Sequence, residues 1–370
     1  MIDYPVLSRR AAGAKEVPDL PKRMLSPSGL AALAVSLGLI LLCLADSATV
    51  AQGVTRGLDL CGGVLLPSLF FFMVLACFLS SSGLVELLAV PLRPLAALLG
   101  LPREAAALFL MSVLGGYPVG GRLISNQVKA GRLDLPSARR MLPFCINPAP
   151  SFAIVGVGGM MFGSLRLGAL LFFSCLASSV VLGICTRRKA PAAAGAPCLT
   201  RPGIAAALVE AVQSAAGGML GMCAYVLLFS VLTALAKAHL PGRLATAASG
   251  ILEVTCGVSA ASAEGSFGGF LLAAFFLGFG GLSILFQVSS FFEPGQIPFG
   301  RLMMSKLAGG VLTAVFAGLA MRFLPAGLLQ VFLPAYRPQA LSGYHISGSI
   351  GLLLLASYLL FSLNSRRKCH

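Results

Sequence analysis

A run of apolar residues that interrupts its own helix sets the tightest limit on what this chain can fold into. Leu110 to Ser125 reads LMSVLGGYPVGGRLIS, in which four glycines and a proline break the run and Arg122 and Ser125 follow. Glycine and proline open the helical ladder, and hydrocarbon offers no water to the freed N–H and C=O groups. Such a break survives only where protein or a water-filled cavity surrounds it, so the stretch reads as a site. A second break, FLGFGGLSILFQVSS at Phe276–Ser290, follows 165 positions later.

Composition puts these runs in a bilayer. The 370 residues are 57% hydrophobic and 11% charged, with a mean hydropathy of +0.92, outside the range of soluble domains. The length allows about seven to nine spans of ~20 residues. The net charge of +15 is concentrated at the ends of apolar runs, which suits topology and anionic headgroups and excludes a nucleic-acid partner. Ten cysteines stand singly with no CxxC pair, and His239, His345 and His370 lie far apart, so no metal site is expected. There is no HExxH, GxSxG or P-loop pattern and no diagnostic carboxylate pair, which argues against an enzyme and against a cofactor. GVGGMMFG at 156–163 follows no strand and reads as close helix packing.

In order, the chain divides into a basic N-terminal segment (1–28), a first transmembrane helix and polar loop (29–57), a first repeat (58–186), a linker (187–203), a second repeat (204–363) and a basic tail (364–370). Within the first repeat a span at Cys61–Leu79 precedes an interfacial helix over 84–101, because Pro91 and Pro94 spoil a clean crossing. A re-entrant helical hairpin follows at about 102–128. Met141–Phe162 is broken at FCINPAPSF, and Leu167–Cys185 spans. Within the second repeat, Ile204–Ser214 is an amphipathic run, Ala215–Ala236 a span, and Leu240–Gly265 an interrupted helix. A second hairpin at about 267–292, a span at Met303–Met321 and a last span at Ile346–Leu363 complete it.

At an offset of 165, Gly115 and Gly116 fall on Gly280 and Gly281, and Arg122 on Gln287. Three crossings per half, an odd number, invert the second half, so the fold class expected is an all-α polytopic membrane protein. Its inverted repeat would bring two re-entrant hairpins together near the midplane. With a cytoplasmic N-terminus most of the 27 Lys and Arg lie inside, although Arg366, Arg367 and Lys368 lie outside.

Together, GGYPVGGRLIS, FCINPAPSF, ILEVTCG and FLGFGGLSILFQ resemble the YlbJ-like sporulation integral membrane proteins, over about residues 58–325. The resemblance implies paired nucleoside-recognition (gate) domains and a fold similar to concentrative nucleoside transporters. It also implies export of dipicolinic acid during endospore formation, across a cell membrane such as the outer forespore membrane. Cys256 stands where the family carries asparagine.

The substrate-binding residues expected are Gly115, Gly116, Tyr117, Arg122, Asn147, Ser151, Glu253, Gly280, Gly281, Ser283 and Gln287. Arg122 offers a guanidinium that holds a carboxylate through two parallel bonds, or else it snorkels or pairs with Glu253. Broken helices present N-terminal dipoles to the same anion. Asn147 and Ser151 either contact solute or satisfy groups that Pro148 and Pro150 release, and Glu253 is a contact, a proton carrier or a partner of Arg122. Ser283 and Gln287 contact solute or bond within their hairpin. The leading function is transport of a small organic anion. The alternatives are a transporter of another small solute and an assembly protein of a sporulation membrane complex. Lipid is the other partner, and a homo-oligomer is left open.

Overall fold

The computed structural model describes residues 27–84, 91–101, 103–131, 133–187 and 203–323. The expected N-terminal segment, linker, last span and tail therefore lie wholly or largely outside the described residues. The helices are α1 (Pro27–Ala45), α2 (Ser47–Leu60), α3 (Leu66–Ser81), α4 (Arg93–Leu99), α5 (Arg103–Gly115), α6 (Tyr117–Lys129) and α7 (Leu135–Cys145). They continue with α8 (Ser151–Met161), α9 (Leu165–Cys185), α10 (Ile204–His239), α11 (Gly242–Leu252) and α12 (Val254–Ala263). The last three are α13 (Phe267–Phe279), α14 (Gly281–Ser289) and α15 (Phe299–Arg322). A π-helical turn, Cys61–Leu65, joins α2 to α3, and α8 is π-helical throughout.

Among the described residues four segments are long and apolar enough to cross a membrane: Leu165–Cys185, Ile204–His239, Phe267–Ser289 and Phe299–Arg322. Gly29–Ala45 with Ser47–Gly63 makes a fifth if that pair is one span. The protein is an all-helical, multi-pass membrane protein. Large apolar side chains such as Phe71, Phe173, Leu228 and Val311 stay exposed, because lipid tails solvate them as well as a protein core does.

The chain divides after Ala48 into two compact units, not at the linker between the halves. The first unit is described only by α1 and the start of α2. In the second, both halves share one core, with α13 packed on α15, α10 on α3, and α9 on both α8 and α15.

Three expectations change. The polar loop after Ala45 is the helix α2. Gly53 and Gly57 lie one turn apart against α10, and an added Cβ at Gly53 would stand 2.7 Å from Val231 Cα. Small residues at that spacing allow close backbone approach, so packing overrides the polar composition. Ile204–Ser214 is continuous with the following span in the 36-residue α10, since no proline separates them. The spacing of matching helix starts is 164 rather than the 165 of the sequence offset. Arg103, Tyr117 and Leu135 begin α5, α6 and α7, and Phe267, Gly281 and Phe299 begin α13, α14 and α15, each 164 residues later. The residues matched by backbone geometry are thus Gly116 and Gly280, the helix caps with φ of 86° and 88°.

Candidate functional site

The site begins at the first glycine break. Gly116, at positive φ, caps α6, and Pro118 follows within the first helical turn, where a missing N–H does no harm. The chain folds back here. Gly120 is pressed onto the end of α7, and a Cβ on it would stand 2.0 Å from the Cys145 carbonyl oxygen and 2.7 Å from Ser112 Cβ. Only glycine fits.

The end of α7 shows how the first interruption is held. Pro148 and Pro150 have no N–H, so the carbonyls of Phe144 and Ile146 lose the donors that a continuing helix would give them. Side chains replace both. Asn147 Nδ2 donates to Phe144 O at 2.7 Å, and Asn147 Oδ1 accepts from the Ser179 hydroxyl. Lys306 Nζ, from α15, donates to Ile146 O at 2.7 Å. Lys306 is only 2% exposed.

A different solution serves the second half. Positive φ at Gly280 and Gly281 breaks the ladder between α13 and α14, which takes the i+4 donor from the Leu277 carbonyl. The hydroxyl of Tyr117, from the first break, donates to it at 2.6 Å. At the junction of α11 and α12, Glu253 adopts extended backbone, and its own carboxylate accepts from the Cys256 N–H at 2.6 Å. Helix starts leave N–H groups unsatisfied, so an acceptor suffices there.

These four places meet. A Cβ on Gly116 would lie 3.1 Å from Ala149 Cβ, and one on Gly281 would lie 3.0 Å from the Val254 nitrogen. Each glycine break is therefore seated on one interrupted helix. The two breaks touch each other where Tyr117 lies beside Gly280. Between them is a narrow cavity of about 20 Å³, room for one water and not for an organic solute. Its polar wall is Gly116, Tyr117, Glu253 and Thr255, and its apolar wall includes Leu69, Phe152, Met222, Val226 and Ile284. Tyr117, Val254 and Gly281 are also the first residues of α6, α12 and α14. Neither α6 nor α14 has a side-chain cap.

Of the expected residues, Gly116, Tyr117 and Glu253 line this cavity, and Gly280 and Gly281 support its wall. Gly115 instead packs on Val119. Asn147 is spent on backbone and on Ser179. Arg122 does not line the cavity: its guanidinium lies against α10 at Gly217 and Gly218, half-buried, and the Glu253 carboxylate is bonded to Cys256 instead. Its position, five residues into α6, turns it away from the tip toward α10. The hydroxyls of Ser151 and Ser283 and both ends of the Gln287 amide are buried with no hydrogen-bond partner among the described residues. Lys306 escaped the sequence reading, although a lysine in the apolar run of α15 was visible as an expensive residue.

No family model matches the chain, and no solved structure matches it. The sporulation integral membrane protein YlbJ of Bacillus subtilis (strain 168) is similar, at 24% identity over 304 residues, which cover 70% of this chain and 74% of that protein.

Proposed function

We propose that this protein is a secondary transporter of a small organic anion in the membrane of a sporulating cell, with dipicolinate as the solute. The observation that carries the reading is the seating of each glycine break on one interrupted helix around a shared cavity deep in an apolar bundle. Two opposed, re-entrant gate repeats would meet in this way, and bilayer proteins tolerate such irregular backbone where it lines a solute path. The start of α6 at the cavity, which has no side-chain cap, favours an anion, because a helix N-terminus carries partial positive charge. The likeness to YlbJ supports the sporulation setting.

At about 20 Å³ the cavity corresponds to the closed state of an alternating-access cycle. Loading requires a glycine break to part from its interrupted helix. On that movement Gln287 and Ser283, unsatisfied when closed, gain partners from solute or water. No ATP-binding pattern stands in the sequence, so primary active transport would need a partner.

Uptake of labelled dipicolinate into proteoliposomes tests the proposal. Saturable flux, competed by unlabelled dipicolinate and reduced by Gly281→Ala, is the expected result. Flux no greater than that of protein-free liposomes, under every imposed ion gradient, sinks it.

A further inference from the structure

Inside the bundle, a lysine is an expensive way to satisfy one carbonyl. Lys306 lies in the span Phe299–Arg322, is 2% exposed, and gives Ile146 O the donor that Pro150 lacks. A neutral donor such as the amide that Asn147 brings to Phe144 O would do the same work without a charge. Lys306 nonetheless places an amine there, and it forms no ion pair with any described residue. The nearby titratable groups are the Cys145 and Cys175 thiols. A buried charge without an opposite charge costs far more than a buried amide, so a lysine is the costlier choice for this one hydrogen bond.

The cavity is lined by the same stretch of backbone. Ile146, which holds the amine, is three residues from Ala149, which lines the cavity and meets Gly116. Three residues span at most about 10 Å, so the charge stands roughly 13 Å or less from that wall. Little solvent intervenes to screen it.

We infer that Lys306 is a specificity-determining residue: held on the Ile146 carbonyl, its positive charge favours anionic over neutral solutes in the cavity beside Ala149. It does not touch the solute, and it takes the part first expected of Arg122. The inference rests on the transport reading, and it concerns which solutes are preferred.

The test uses full-length protein in proteoliposomes, with pyridine-2,6-dicarboxylate and its neutral diamide as competing solutes. Lys306→Gln keeps an N–H for Ile146 and removes the charge, whereas Lys306→Arg keeps the charge. The preference for dicarboxylate over diamide is expected to fall about tenfold in the glutamine variant, as for one unit charge at that distance in a partly polar interior. The arginine variant is expected to retain it. If Lys306→Gln does not fold, Lys306→Met keeps the length of the side chain and removes the charge, and the same fall is expected. A folded charge-free variant with the wild-type preference overturns the inference and reduces Lys306 to a backbone donor. Absence of flux in the wild type would instead end the transport reading itself.

Discussion

The two helix interruptions at the cavity do the same architectural job with opposite chemistry. At Ile146–Pro150 the break is made by prolines, which leave carbonyls without donors, and the donors come from Asn147 and from Lys306 on α15. At Glu253 no proline intervenes. The new helix start leaves N–H groups, and the chain supplies the acceptor from its own carboxylate. The kind of break therefore decides the kind of polar group beside the cavity. A proline break brings in donors, here an amide and an amine, and a restarted helix brings in an acceptor, here a carboxyl group. The first depends on distant residues, whereas the second closes on itself within four residues.

The contrast breaks most completely at the glycines that let each interruption pack. Gly120→Ala on the first side would drive Cβ onto the Cys145 carbonyl, and Gly257→Ala on the second would drive it to 2.0 Å from Gly250 Cα. Each is expected to cost about 3 kcal/mol, read as a large fall in melting temperature in detergent, and wild-type melting of either would show that its interruption is loosely packed. Asn147→Ala strands the Phe144 carbonyl and the Ser179 hydroxyl. A loss of about 2 kcal/mol in reversible unfolding is expected.

A smaller effect should distinguish the self-contained break. Glu253→Ala removes a helix cap and is expected to cost about 1 kcal/mol, and Glu253→Gln, which keeps an acceptor, is expected to unfold close to wild type. An equal loss in both variants would mean that the charge holds the break rather than the hydrogen bond. Smallest of all, Arg122→Ala should change stability by less than about 0.5 kcal/mol and leave dipicolinate flux within about twofold of wild type. A much larger drop in flux would return Arg122 to the solute path.

Much of the site was legible because its causes are local. Glycine pairs in apolar runs announce positive φ, and Pro148 and Pro150 mark where a helix stops, so the breaks at Gly116 and at Asn147 could be read directly. What those residues touch was not legible. Arg122 and Lys306 are both basic residues in apolar surroundings, and the choice between them depends on which helix each side chain meets.

By itself the sequence determined the membrane class, the helical content, and the glycine and proline breaks. These follow from hydropathy and from backbone chemistry carried by single residues. The tertiary structure decided that α2 is a helix, that each glycine break sits on one interrupted helix, that Tyr117 completes the opposite break, and that Lys306 reaches the interrupted backbone at Ile146. Each of these is a contact between residues up to 160 or more positions apart, and such contacts are fixed by how apolar helices close-pack, which no local pattern records.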